Sequence, residues 1–181
     1  MKLDICIYGN PALRVKAKPV EQVTDKIRKL VADMLETMHA ANGIGLAAEQ
    51  IGRREAVLVI DTSPIQQDEN ESTESTLPRP PMPLIMINPE ITKEEGEQTG
   101  SEGCLSFPEL YTKITRADRV TACFLDTEGN TQTITTDGLL ARAIQHEMDH
   151  LNGVLLVDRM SPVQKAVMAG KLKRLRKQGR R

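Results

Sequence analysis

The chain contains three histidines, and two of them, His146 and His150, lie four residues apart in the segment HEMDH. On a helix, positions i and i+4 share one face, so both imidazoles can bind a single metal ion. Glu147, between them, is placed to act as the general base for a water molecule that the metal activates. The spacing therefore predicts a metal-dependent hydrolase. The alternative is a chance pair of histidines on a solvated helix.

A third ligand decides which kind of metallohydrolase this is. Metallopeptidases with this motif usually take it from a residue after the helix, but no histidine follows His150 and the next acid is Asp158. Cys104, in the segment EGCLS (102–106), lies beside a glycine that allows a tight turn. With His146 and His150 it completes a three-ligand set that leaves one coordination position for water. The alternative is a closed structural site with a fourth protein ligand.

The remaining two cysteines and the third histidine are not expected to bind the metal. Cys6 and Cys123 lie in apolar stretches, as small buried hydrophobic residues do, and His39 is expected on the surface. An odd number of cysteines argues against a disulfide framework and favours a reducing cytosol, so we expect a cytoplasmic protein. The first residues are too polar for a secretory signal. The sequence contains no apolar run of about 18 residues, so no membrane span is predicted.

The segment GIGLAAEQ (43–50) combines small residues with a terminal amide. Its glycines and alanines would let a substrate backbone lie close against the chain, and Gln50 could donate an amide hydrogen to a developing oxyanion. The segment lacks the spacing and the basic residue of a phosphate-binding loop. Taken alone, the segment favours a turn after the helix over a functional site.

Together, the three segments resemble the peptide deformylase family, which carries GxGLAAxQ, EGCLS and QHExDH in this order. All three are intact, at 43–50, 102–106 and 145–150. The stretch EGCLSFPELY (102–111) and Ala141-Arg142 are similar to the subgroup shared by some bacteria and plastids. The resemblance extends from the first predicted strand to the third predicted helix. It implies hydrolysis of the N-formyl group from the N-terminal formyl-methionine of nascent polypeptides, with release of formate.

The resemblance also implies roles for individual residues. Gln50 and the backbone N–H of Leu105 would stabilise the oxyanion, and Gly45 would pair backbone to backbone with the nascent peptide. One divalent metal ion is expected, Fe²⁺ by resemblance, with Zn²⁺ or Ni²⁺ as replacements. Three residues are expected to line the pocket for the methionine side chain: Ile44, Leu139 and Ala143.

Elements of two kinds must position these residues. Helices are predicted from Thr24-Asp25 to Asn42-Gly43, from Asp137 to Leu151, and from Ser161-Pro162 to Lys177. Strands are predicted at the N-terminus and at 56–61, 84–88, 91–101, 110–115, 119–126 and 131–136. Strands and helices are segregated along the chain, which predicts an α+β fold. We expect mixed or antiparallel sheets packed around a central HExxH helix, with an N-terminal and a C-terminal helix.

The length of 181 residues favours one catalytic domain over residues 1–164. Within it, Thr62 to Pro83 contains five of the ten prolines and an acidic run. Compared with the family that the sequence resembles, this connection is longer than usual. We predict a mobile surface loop there.

The C-terminal residues 165–181 form a basic helical tail. Eight basic residues and no acidic one lie in it, so the rest of the chain carries a formal charge of −9. This asymmetry suggests a polyanionic partner, the ribosome, although a solvated, frayed helix end is an equal alternative. Met168, Leu172 and Leu175 share one face and would hold the helix to the body or to a ribosomal protein.

Two other functions remain open. An endopeptidase of the zincin type would need a third ligand after the helix. A ribosome-associated binding module without catalysis would not need Glu147 or Gln50, and both are present. We expect a monomer that does not attach to membranes.

Overall fold

The computed structural model describes residues 1–65 and 77–180. Within these ranges, seven strands form two antiparallel sheets, and five α-helices accompany them. The predicted α+β class is confirmed. No helix in the described part of the chain is long and apolar enough to cross a membrane.

The strands are β1 (Gly45–Ala47), β2 (Val57–Ile60), β3 (Leu84–Glu95), β4 (Gln98–Cys104), β5 (Phe107–Arg116), β6 (Arg119–Leu125) and β7 (Thr131–Asp137). The larger sheet has the order β1-β2-β3-β6-β7, and β4 and β5 form a separate hairpin. The helices are α1 (Asp25–Ala40), α2 (Gly138–Leu151), α3 (Leu156–Arg159), α4 (Pro162–Val167) and α5 (Ala169–Gln178).

The five-stranded sheet separates two hydrophobic cores. Successive side chains of a strand point to opposite faces, so Leu58 and Ile60 of β2 pack with α2, whereas Val57 and Val59 pack with α1. Because β2 is buried on both faces, its sequence is an uninterrupted apolar run. The apolar stripe of α1 from Ile27 to Met38 is buried as predicted.

A third core lies beneath the β4–β5 hairpin. Phe107 and Ile114 of β5 meet Leu156 of α3 there, together with Leu172 and Leu175 of α5. The predicted inner face of the C-terminal helix is therefore buried against the body of this chain, with Met168 half-buried beside it. This packing fixes α5 relative to the hairpin that carries Cys104.

Four predicted elements differ from the structure. The opening strand is wrong, because the N–H groups of Cys6 and Tyr8 donate to two separate turns and not to a neighbouring strand. The predicted strands 84–88 and 91–101 have other bounds in the structure. One strand, β3, covers the first of them and the start of the second, and the end of the second belongs to β4. β3 continues through Asn88 and Pro89 by way of β-bulges. The single C-terminal helix is two helices, because Met168 leaves the helical conformation (φ −96°, ψ 5°).

The predicted mobile segment 62–83 lies only partly within the described residues. Thr62 is fully buried, and Met82 packs partly against the core between the sheet and α2. Both ends of the segment are therefore attached to the body. Residues 66–76 lie outside the described residues, and the mobility of the segment stays a prediction.

Candidate metal centre

The two histidines of the HExxH motif lie on α2, which begins after Asp137 and ends at Leu151, within one residue of the predicted bounds. The apolar residues of α2 pack under the sheet, and this packing also buries His146 and His150. Their ring centroids are 5.1 Å apart. A chance pair of exposed histidines is thereby excluded.

Cys104 reaches the same place from the end of β4. The pairing of β4 with β5 shifts register between Gly103 and Cys104, and such an irregularity changes the direction in which a side chain points. The Cys104 Sγ lies 3.2 Å from Nε2 of His150. One ligand atom from each of Cys104, His146 and His150 lies within 4.8 Å of the other two.

These three side chains fit a metal ion. Nδ1 of His146 donates to the Glu102 carboxylate over 2.9 Å, which leaves its Nε2 for a metal. Nδ1 of His150 is buried and has no hydrogen-bond partner in the described part of the chain, while Nε2 faces the thiol. Within residues 1–65 and 77–180 the group contains no fourth His, Cys, Asp or Glu. The arrangement suits an open site better than a closed structural one.

The two imidazoles differ in their electrostatic surroundings. Burial would lower the pKa of His146, but hydrogen bonds with Cys104 and Glu102 outweigh it and raise the pKa well above its usual value. Burial, together with the charge of His146, lowers the pKa of His150 well below its usual value. Because a metal and a proton compete for the same nitrogen, metal affinity at this site depends on pH.

Glu102 connects His146 to a network of buried charges that the sequence analysis missed. Arg116 donates to both Glu102 oxygens over 2.6 and 2.9 Å, and Arg142 donates over 2.8 Å. Arg116 also donates to Asp149 over 2.8 Å. Burial would raise the pKa of Glu102, but the hydrogen bonds from His146 and Arg116 hold it below its usual range. Glu102 therefore stays ionised and orients the His146 ring.

The HExxH glutamate lies against the small-residue segment. A Cβ atom on Gly45 would lie 2.2 Å from Oε1 of Glu147, so only glycine leaves room for this carboxyl group. Oε2 of Glu147 is buried without a hydrogen-bond partner in the described residues. Burial raises the pKa of Glu147 to about 7, which suits a group that exchanges protons near neutral pH.

Gln50 also reaches Cys104. Its Oε1 accepts the N–H of Ala47 over 2.8 Å, and its Nε2 lies 3.6 Å from the Cys104 Sγ. Leu105 follows Cys104, and its side chain packs over Gly43, where a Cβ atom would lie 2.6 Å from Cδ1 of Leu105. The structure thus brings both predicted oxyanion residues next to Cys104.

The predicted substrate residues occupy two elements beside the centre. Gly45 lies on β1, a strand that the sequence did not predict, and Ile44 precedes it, half-buried. Leu139 and Ala143 lie on α2 before His146, half-buried and buried respectively. Ala143 belongs to the core between the sheet and α2. That these residues line a pocket stays a prediction.

The other residues of interest are placed as follows. His39 is half-exposed, and its Nε2 lies 2.9 Å from the Asp61 carboxylate. Cys6 and Cys123 are half-buried and outside the metal group.

Comparison with known proteins identifies the family. The model of the family described as Polypeptide deformylase matches residues 2–166. The chain belongs to the peptide deformylase family. The peptide deformylase of Alkalilimnicola ehrlichii is 45% identical over 178 residues, which cover 98% of this chain and 93% of the relative.

Two solved deformylase structures share the fold. That of Legionella pneumophila has a TM-score of 0.82 at 39% identity and covers all of this chain and 99% of its own. That of Synechococcus elongatus, in complex with actinonin, has a TM-score of 0.81 at 41% identity, over 93% of this chain and 87% of its own. The predicted hydrolysis of N-formyl groups from nascent peptides by a metalloenzyme is confirmed.

Proposed function

We propose that this deformylase holds one divalent metal ion with Cys104, His146 and His150 and uses Glu147 to hydrolyse the formyl group of formyl-methionine. The observation that carries the proposal is the convergence of the three ligand atoms within 4.8 Å of one another. A bound divalent ion supplies Lewis acidity, which polarises a carbonyl and makes water a nucleophile near neutral pH. One thiolate and two imidazoles suit Fe²⁺, Zn²⁺ or Ni²⁺, and the family resemblance favours Fe²⁺.

Glu147 carries the proton in this proposal. Its carboxylate accepts the proton of the attacking water and later delivers it to the leaving amine of methionine. Its burial, its unpartnered Oε2 within the described residues and its pKa of about 7 support this role. Glu102 acts through His146 and does not touch the substrate.

Gln50 and Leu105 stabilise the negative charge that develops on the formyl oxygen. The Gln50 amide nitrogen is directed toward the Cys104 side of the site, and the Leu105 N–H follows the same ligand in the chain. One such donor contributes about 3–4 kcal/mol to transition-state stabilisation.

The nascent peptide binds along β1. The backbone of Gly45 recognises the peptide backbone, which gives binding that is independent of the following sequence. The small size of Gly45 keeps the peptide close to Glu147. We propose that Ile44, Leu139 and Ala143 contact the methionine side chain.

Formate release separates this function from that of an endopeptidase. The metal-loaded enzyme should release formate from a formyl-Met peptide and should not cleave an unformylated peptide internally. Internal cleavage without formate release would contradict the proposal.

Metal analysis tests the ligand set. Cys104→Ser keeps the size of the side chain but removes the thiolate, so the metal content should fall well below one per chain. Cys123→Ser is the matched control, because Cys123 is a half-buried cysteine outside the ligand group. Full metal occupancy in Cys104→Ser would reject Cys104 as a ligand.

We also propose that α5 docks the enzyme, as a monomer in the cytoplasm, on ribosomal RNA. Lys173, Arg174 and Lys177 are exposed, whereas Leu172 and Leu175 on the opposite side are buried in the body. Lys171 is not available in the same way, because its ammonium group donates to the backbone oxygen of Glu109. Binding through such cations should weaken steeply with salt. Membrane attachment is less favoured because the buried stripe has no aromatic residue.

Charge reversal tests docking better than truncation, because ending the chain near Gly170 would remove the buried Leu172 and Leu175. Replacing Lys173, Arg174 and Lys177 by glutamate should abolish ribosome co-sedimentation and leave hydrolysis of a small formyl peptide unchanged. The control variant places glutamate at three exposed lysines elsewhere, Lys16, Lys18 and Lys26. Equal, salt-insensitive co-sedimentation of all three proteins would reject docking through α5.

A further inference from the structure

We infer that Ser106 is a positioning residue for the deformylase reaction: its hydroxyl group holds the Gln50 amide with the N–H side toward the metal ligands. The inference rests on the proposed role of Gln50 as an oxyanion donor.

The orientation of a carboxamide decides whether it can stabilise an oxyanion. The oxygen and the NH₂ group of glutamine are similar in size, but only the NH₂ group can donate to negative charge. Oε1 of Gln50 accepts the N–H of Ala47 over 2.8 Å. Because a backbone N–H can only donate, this bond fixes the oxygen on the side of β1.

Ser106 fixes the other side of the amide. Nε2 of Gln50 donates to Oγ of Ser106 over 3.2 Å and lies 3.6 Å from the Cys104 Sγ. An NH₂ group has two hydrogens. The bond to Ser106 uses one of them, and the second is directed to the Cys104 Sγ, the side on which the formyl oxygen binds in the proposed function.

Ser106 is itself held in place. It is fully buried, and its backbone oxygen accepts the N–H of Tyr8 over 2.9 Å. The neighbouring Phe107 stacks on the Tyr8 ring with centroids 4.8 Å apart.

The same N-terminal segment also holds Gln50. The backbone oxygen of Gln50 accepts the N–H of Cys6 over 2.7 Å. Residues 6 and 8 therefore bind the backbones of positions 50 and 106, respectively. This bridge preorganises the contact between hydroxyl and amide.

Loss of the hydroxyl should affect the chemical step more than substrate binding. In Ser106→Ala the Gln50 amide keeps one anchor of two, and one buried amide hydrogen loses its acceptor. A hydrogen bond of ordinary net strength corresponds to a loss in kcat of about 3- to 10-fold. KM should change by less than about 2-fold, because the donor acts mainly on charge that develops in the transition state. Removing the donor itself, in Gln50→Ala, should cost about 10²–10³-fold in kcat.

A double-mutant cycle tests whether Ser106 acts through Gln50. The kcat and KM for a formyl-Met peptide are measured for the metal-loaded wild type, Ser106→Ala, Gln50→Ala and the double variant. The loss caused by Ser106→Ala should be nearly absent when Gln50 is already alanine. An equal fold loss in both backgrounds would overturn the inference and leave the role of Gln50 intact. A wild-type kcat in Gln50→Ala would overturn the proposed donor, and the inference with it.

Two further variants guard against a loss of kcat caused by poor folding. Ser106→Cys keeps the size of the buried side chain with a weaker acceptor, so its kcat should fall below that of the wild type even if the alanine variant does not fold. Where Ser106→Ala does fold, the kcat of Ser106→Cys should exceed that of Ser106→Ala. Thr112→Val is the matched control, since Thr112 is buried on the same hairpin and its hydroxyl makes no hydrogen bond within the described residues. Its kcat should change by less than about 2-fold. A wild-type kcat in Ser106→Cys, or a loss in Thr112→Val as large as in Ser106→Ala, would overturn the inference.

Discussion

Glu102 is the centre of the buried charge network, and replacing it by glutamine should have a large effect on stability. Its side chain is 4% exposed and accepts hydrogen bonds from Arg116, Arg142 and His146. The Arg116 side chain is 3% exposed. In Glu102→Gln both guanidinium groups stay buried, and of the two carboxylates only Asp149, which pairs with Arg116, remains.

The magnitude follows from the burial of these charges. Removing one partner of a buried ion pair costs about 3–5 kcal/mol in the free energy of unfolding. For a chain of this size, 1 kcal/mol corresponds to a Tm shift of about 2–4 °C. The variant should therefore melt roughly 6–20 °C below the wild type. Because His146 loses its orienting carboxylate, metal affinity should fall by about 10- to 100-fold.

The stability difference should also depend on pH. The hydrogen bonds from His146 and Arg116 keep the folded-state pKa of Glu102 below its usual value, although burial opposes them. A carboxyl group of this kind stabilises the fold above its unfolded-state pKa, and that stability is lost as the pH falls through the folded-state pKa. Since glutamine does not titrate, the difference between wild type and Glu102→Gln should narrow below about pH 4.

Thermal unfolding of the metal-free and metal-loaded proteins, at neutral and acidic pH, measures all three effects. Glu109→Gln is the matched control, because the Glu109 side chain on the same hairpin is 92% exposed. It should stay within about 0.5 kcal/mol of the wild type. A Glu102→Gln variant as stable as this control at neutral pH would refute the assigned network.

Three further predictions concern other parts of the chain. Gly45→Ala would place its Cβ atom 2.2 Å from the Glu147 carboxylate, so formate release should fall by about 10²–10⁴-fold at unchanged metal content; normal turnover would show that Glu147 can move aside without loss. Glu49 is fully buried, its oxygens have no hydrogen-bond partner among the described residues, and burial raises its pKa to about 8. Because this folded-state pKa exceeds the unfolded-state value, the free energy of unfolding of the wild type should fall between about pH 4.5 and 8. In urea unfolding, the free energy of unfolding of Glu49→Gln should exceed that of the wild type by an amount that grows over the same range; parallel pH profiles of the two proteins would contradict this. Replacing residues 66–76 by a short Gly/Ser turn, with the buried Thr62 retained, should leave Tm and formyl-Met hydrolysis nearly unchanged, and a large loss of either would show that the segment packs on the body.

The residues proposed as metal ligands could be predicted from the sequence because their signals are local. The i, i+4 spacing of His146 and His150 needs only a helix, and the glycine before Cys104 marks a change in backbone direction. The bounds of α1 and α2 were also predictable, since the apolar stripes of these two helices follow the helical period.

The supporting contacts could not be predicted in the same way. Glu102 and Arg116 lie on neighbouring strands, and Arg116 meets Asp149 across 33 residues of sequence. No periodicity marks such a pair before the sheet is assembled. The contact of Ser106 with Gln50 likewise depends on a 3-10 turn and a hairpin that meet only in the folded chain.

The Glu147→Gln variant provides the most direct test of the catalytic centre. The substitution preserves the shape of the side chain and removes the base, so the variant should fold and keep one metal ion per chain. Formate release from a formyl-Met peptide should then fall by about 10²–10⁴-fold. Near-normal formate release with the metal retained would mean that another group carries the proton, and would contradict the role assigned to Glu147.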